Sequence, residues 1–216
     1  MKKLIFRFNN LSSQSSFNSK NILGGKGANL AQMANLKLPV PPGFTISTKV
    51  CEYFYKNNKK IPKKVIQQTK KEINIIEKIT KKKFGDLSNP LLVSVRSGSK
   101  VSMPGMMDTV LNLGLNDKTV IALKNKTSNG RFAKDSYRRF IQMYSNVALG
   151  VQPHLFEELI ENYKLTKGVI QDTELDENDW DGLIQNFKDI VKEKTKKNFP
   201  QDVNEQLWRA ISAVFL

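Results

Sequence analysis

A chain of 216 residues with a hydrophobic fraction of 39% holds one large domain or two small ones, and no stretch approaches the roughly 18 consecutive apolar residues of a membrane-spanning helix. Its single cysteine, Cys51, excludes an intrachain disulfide; with no secretory leader after Lys2 and Lys3, a cytoplasmic setting is expected. The formal charge of +15 raises a nucleic-acid reading that its distribution weakens. Residues 56–83 hold eleven lysines against Glu72 and Glu77, with no aromatic between Tyr55 and Phe84 and no arginine, so a solvated helix surface is expected there.

In chain order, residues 3–8 alternate weakly and predict an edge strand, and the Ser- and Asn-rich residues 9–21 predict a loop. Gly24-Gly25-Lys26-Gly27 opens a predicted helix whose apolar face is Ala28, Leu30, Ala31, Met33 and Ala34; Pro39, Pro41 and Pro42 end it. Residues 44–47 predict a strand, and Thr48 is the expected cap of a helix running to Asn57. Pro62 starts another helix, with Val65, Ile66, Ile73, Ile76 and Ile79 expected inward. A β-branched strand then delivers Arg96 into a Ser/Gly loop. Beyond it the pattern turns helical: residues 132–149 place Phe132, Ala133, Tyr137, Phe140, Tyr144, Val147 and Ala148 on one stripe, with Asp135 and Arg139 spaced for an i,i+4 pair. Further amphipathic helices are expected over 154–165, 177–194 and 202–215. The layout is α+β, divided into an N-terminal lobe over 1–116, a helical subdomain over 117–195 and a return segment over 196–216.

Two segments carry chemistry. Glycines at a helix start allow close backbone approach, the helix N-terminus offers free N–H groups, and Lys26 adds a full charge; neither a Walker A nor a dinucleotide-binding pattern is met. In the second, Arg96 lies among Ser94, Ser97, Gly98, Ser99 and Ser102, ahead of Met103-Pro104-Gly105-Met106-Met107-Asp108-Thr109. Arginine's planar fork suits a fixed phosphate or carboxylate, and small neighbours let backbone N–H groups reach an anion. The residues alone leave two readings open there: an anion-binding loop, or a surface arginine beside a turn with methionines as core filler. His154, the only histidine, has no nucleophile motif nearby, so no catalytic residue is assigned. The near-calcium pattern Glu177-x-Asp179-x-Asp181-Gly182 has Lys188 where a bidentate Glu is required, and one Cys with one His makes no zinc site; no metal ligand is expected in this chain.

Taken together, Gly24-Gly25-Lys26-Gly27-Ala28-Asn29-Leu30, Leu38-Pro39-Val40-Pro41-Pro42-Gly43-Phe44-Thr45-Ile46, Ser94-Val95-Arg96-Ser97-Gly98, Ser102 to Leu115, Arg131-Phe132-Ala133-x-Asp135-Ser136-Tyr137-Arg138-Arg139-Phe140 and the closing Gln206-Leu207-Trp208 run resemble the N-terminal region of the pyruvate, phosphate dikinase family. The resemblance implies an ATP-grasp-type nucleotide-binding domain, incomplete here, with a helical insert. It also implies ATP with Mg²⁺ as cofactor, and Lys26, Arg96, Met103, Gly105, Asp108 and Thr109 as nucleotide-contacting residues. In that family ATP, phosphate and pyruvate become AMP, diphosphate and phosphoenolpyruvate. The second ATP-grasp lobe with its acidic metal ligands, a phosphocarrier histidine domain and a pyruvate-binding barrel are expected to be missing, so catalysis by this chain alone is not expected. The expected partners are ATP or diphosphate, and the missing C-terminal part or a full-length dikinase; a non-catalytic binding module is the alternative. Neither a membrane nor nucleic acid is expected as a partner.

Overall fold

The computed structural model describes residues 4–8, 19–98 and 108–215. The chain divides into two compact units, residues 1–82 with 96–108 and Phe215, and residues 83–95 with 109–214.

In the first unit, β1 (Ile5–Arg7) pairs antiparallel with β2 (Phe44–Ile46), in the register Ile5 to Ile46 and Arg7 to Phe44. Between them runs α1 (Ser19–Asn35), and after them α2 (Thr48–Lys56) and α3 (Lys63–Thr80). Ile5, Val50 and Val65 are buried together against Leu4, Phe44, Ile46, Ile61 and Phe215, while Leu23, Ala28 and Ala31 pack with Phe6 and Ile22. Each fully buried Val, Leu, Ile or Phe contributes roughly 1.5–3 kcal/mol, and these contacts hold three helices against a sheet of two short strands. Arg7 reaches across to form an ion pair with Glu72 of α3, so this acid is spent inside the unit while Lys63, Lys70, Lys71 and Lys78 of the same helix are exposed.

Five local expectations need correction. Helix α1 begins at Ser19, five residues ahead of the glycines, because Leu23 is buried within its opening turn; Gly24 is a kink inside it. Helix α2 is capped by Ser47, whose side chain accepts from the Lys49 N–H at 3.3 Å, and this leaves the Thr48 hydroxyl for another partner. Ile79 lies in the last turn of α3, beyond the buried Val65, Thr69 and Ile76, and is exposed. Met33 and Phe132, expected on apolar faces, are also exposed, Phe132 in the first turn of its helix.

The second unit holds two more strand pairs, β3 (Lys83–Phe84) parallel to β4 (Pro90–Leu91), and β5 (Val93–Arg96, its last residue counted in the first unit) beside β6 (Thr109–Leu113). Its helices are α4 (Thr119–Thr127), α5 (Gly130–Leu149), α6 (His154–Lys167), α7 (Glu177–Thr195) and α8 (Val203–Ala213). The α5 stripe sits where its period places it: Ala133, Tyr137, Phe140 and Tyr144 are buried, and the last three stack edge-on to Phe199 at 5.5–6.5 Å. Phe156 of α6 packs on Phe187 of α7 at 4.8 Å. Asp176 caps α7 and, with Asp179, forms a reciprocal capping box, so the acidic run is a helix start. Among the described residues this is an α+β chain, mostly helical, and no helix is long and apolar enough to cross a membrane.

The turn between β3 and β4 is organised by one carboxylate. Asp86 accepts from the Ser88 hydroxyl at 2.6 Å, the Ser88 N–H at 2.7 Å and the Asn89 N–H at 2.8 Å. The Ser88 hydroxyl, followed by these N–H groups, holds its pKa down from 3.8 to about 2. A depressed folded pKa means that the turn's stabilisation is complete above 3.8 and is lost as pH falls towards about 2. The melting-temperature gap between the wild type and Asp86→Asn is therefore expected to close over that window. A gap of constant size across it would show that the carboxylate charge does not hold the turn.

Candidate functional site

The first unit brings Lys26 and the Arg96 segment together. Gly24 adopts φ 70° and ψ 174°, a conformation open to glycine and strained for other residues, and it breaks α1 into a short opening turn and the stretch that carries Lys26. A Cβ on Gly24 would come within 2.7 Å of the Gly98 carbonyl carbon and closer still to its oxygen. The helix kink and the loop after Arg96 therefore meet backbone to backbone. Just ahead of Gly98, the Ser97 N–H donates to the Asp108 carbonyl at 3.0 Å, closing the loop at its base.

Two further contacts brace the kinked segment. The Thr48 hydroxyl donates to the Asn21 carbonyl at 2.5 Å, ahead of the kink. On the far side of the kink, a Cβ on Gly27 would lie 2.6 Å from Thr45 Oγ1, so β2 fits against that helix only because residue 27 has no side chain.

Lys26 is half-buried and its pKa is lowered, first by desolvation and then by the positive charge of Arg96. Among the described residues no carboxylate is one of the groups acting on it. Burying a cation and placing another cation near it both cost free energy, and an anion bound between them would recover both costs. Arg96 itself is exposed at the end of β5, where its planar fork is accessible to an anionic ligand.

Of the residues expected from sequence, Lys26, Arg96 and Asp108 share this unit, with Asp108 exposed beside the loop base. Thr109 opens β6 and belongs to the second unit. Met103 and Gly105 lie outside the described residues. Sequence reasoning missed the role of Thr48, which reads as a helix cap; the signal was the adjacent Ser47, an equally good cap that makes a second hydroxyl redundant. His154 is exposed at the first residue of α6. Among the described residues no group of three His, Cys, Asp or Glu side chains stands close enough to hold a metal ion.

Residues 20–83 match the family described as pyruvate phosphate dikinase, AMP/ATP-binding domain. The chain is 49% identical over 215 residues to pyruvate, phosphate dikinase of Rhizobium meliloti, covering 100% of this chain and 24% of that protein. It is 52% identical over 197 residues to the Entamoeba histolytica protein of the same name, 91% of this chain and 22% of the relative. It is 47% identical over 216 residues to that of Clostridium symbiosum, at 100% and 24%. The chain thus spans about a quarter of the length of the curated relatives it matches. Along its length the chain is similar to part of the pyruvate, phosphate dikinases, and its residues 20–83 match the AMP/ATP-binding domain family.

Proposed function

We propose that this chain binds ATP as the phosphate-contacting side of a dikinase nucleotide site, in an ATP-grasp-type domain with a helical insert. The observation that carries the reading is the pairing of a half-buried lysine with an arginine and, among the described residues, no offsetting carboxylate acting on it, at a glycine kink where two backbones meet. Lys26 supplies a point charge to a phosphate and Arg96 a bidentate fork. The resemblance adds Met103, Gly105, Asp108 and Thr109 as further candidate contacts. Phosphoryl transfer relies on positioning and charge neutralisation, which is the chemistry these side chains offer.

Lys26 and Arg96 are cations and offer contacts to phosphates, not ligands to Mg²⁺. Metal ligands, the phosphoryl acceptor and the pyruvate site are assigned to the other three quarters of a dikinase length, in cis or in trans. Making phosphoenolpyruvate is therefore not proposed for these 216 residues alone.

Titration of the chain with Mg-ATP and with inorganic diphosphate tests the reading. Saturable thermal stabilisation is expected, about 2.7 kcal/mol at a ligand concentration a hundredfold above Kd. No shift with either ligand at millimolar concentration would overturn it.

A further inference from the structure

The kinked segment that presents Lys26 is held at three points along its length. Ahead of the kink, Thr48 Oγ1 donates to the Asn21 carbonyl at 2.5 Å. At the kink, Gly24 takes φ 70° against the Gly98 carbonyl, two residues after Arg96 in the chain. Beyond the kink, Gly27 lies on Thr45. The Arg96 loop is tied in turn by the Ser97 to Asp108 backbone bond at 3.0 Å.

These contacts have a purpose that packing alone does not explain. Two cations brought together repel, and a flexible backbone would relax by moving them apart and letting water reach the lysine. Lys26 instead remains partly desolvated and within the field of Arg96. The backbone between Asn21 and Gly27, braced on both sides of the kink, resists that relaxation.

We propose that Thr48 and Gly24 are positioning residues: Thr48 anchors the turn before the kink, and Gly24 lets the Arg96 loop close on it, so that Lys26 and Arg96 are set side by side before any anion arrives. The proposal rests on the phosphate-site reading for its purpose, but not for its geometry. Preorganisation of this kind raises affinity because ordering costs are met during folding.

The test reads the Lys26 ammonium directly, by its NMR titration in the full chain, alongside the affinity for inorganic diphosphate. Thr48→Val keeps the shape and removes the donor. It is expected to move the Lys26 titration up towards that of an ordinary lysine and to weaken diphosphate about tenfold, the value of roughly one hydrogen bond. Thr48→Ser is expected to restore both. Gly24→Ala adds backbone strain and a clash with Gly98, and a larger effect in the same direction is expected. Gly150→Ala is a milder control: at φ 72° and ψ 20° it puts an Ala in the left-handed helical region with no atom within 4 Å of the new Cβ, so it should lower the melting temperature and leave the Lys26 titration unmoved.

A Lys26 titration unchanged in both Thr48→Val and Gly24→Ala overturns the proposal; if Gly24→Ala does not fold, Thr48→Val alone decides. The two readings fail separately. Loss of diphosphate binding in Lys26→Met with an unmoved Lys26 titration in Thr48→Val leaves the phosphate site standing and removes the positioning role. A shifted titration in a chain that never binds diphosphate does the reverse.

Discussion

Replacing Lys26 and Arg96 together with Ala is expected to abolish stabilisation by Mg-ATP or diphosphate while leaving the unliganded protein at least as stable as before. Each charge-assisted contact to a phosphate contributes about 1.5–3 kcal/mol, so the pair should account for roughly 4 kcal/mol, a loss of about a thousandfold in affinity. The second half of the expectation is the sharper one. A lysine and an arginine with structural duties would cost stability when removed. Lys26, by contrast, has a pKa lowered by desolvation and by Arg96, so its charge works against the folded state. The sign follows from proton binding. Between its lowered folded pKa and the ordinary 10.5, the unfolded chain binds more protons at this residue, so stability rises with pH through that window. Over the same window diphosphate binding weakens, because the anion needs the ammonium form. The double variant should show neither trend. A melting temperature several degrees lower without ligand, or an undiminished ligand shift, would assign these side chains to the scaffold instead.

The legible parts of the site were those where one residue's chemistry is read against its immediate neighbours. Lys26 after two glycines and Arg96 at a strand end both mark anion handling, and the structure brings them into one unit. What remained hidden depends on partners far away in sequence. Nothing near Gly24 says that it will meet Gly98, and nothing near Thr48 says that it will reach Asn21, 27 residues earlier. Periodicity showed the same limit in the fold. It placed Tyr137, Phe140 and Tyr144 correctly, because α5 is surrounded by other helices for most of its length. It misplaced Phe132 and Ile79, each in a terminal turn, where a face that continues the stripe no longer has anything to pack against. The opening of α1 was lost for a compositional reason. Ser19 to Asn21 favour turns on propensity, and the burial of Leu23 outweighs that preference.

The largest stability effect is expected at Arg138, a charge buried in the second unit. The residue is only 6% exposed, and its guanidinium donates to Asp135 at 2.7 Å and Asp172 at 3.0 Å and lies 4.5 Å over the ring of the fully buried Trp180. Asp172 also pairs with Lys164 at 3.2 Å, and its backbone carbonyl accepts from Arg131 at 2.9 Å, so one short turn ties α5 to α6 just ahead of α7. Removing one partner of a buried pair costs about 3–5 kcal/mol, because the other charge is left without compensation. Here the figure must be discounted, since Asp172 is 37% exposed and retains Lys164, while Asp135 retains Arg139 at 3.2 Å. Lost cation–π attraction and lost packing over Trp180 act in the opposite direction. Arg138→Ala is therefore expected to cost about 3 kcal/mol, or roughly 6–12 °C in melting temperature for a chain of this size. Arg138→Met, which keeps the stem over Trp180 and removes the charge, should recover about half of that if packing carries as much as pairing. Coupling between Arg138→Ala and Asp172→Asn in a double-mutant cycle should lie near 1–2 kcal/mol, because the two groups share one contact and each keeps others. A cost below about 1 kcal/mol for Arg138→Ala would mean that solvent screens these pairs as it does on an open surface, and that the hydrophobic stacking of α5 on α7 holds the unit without them.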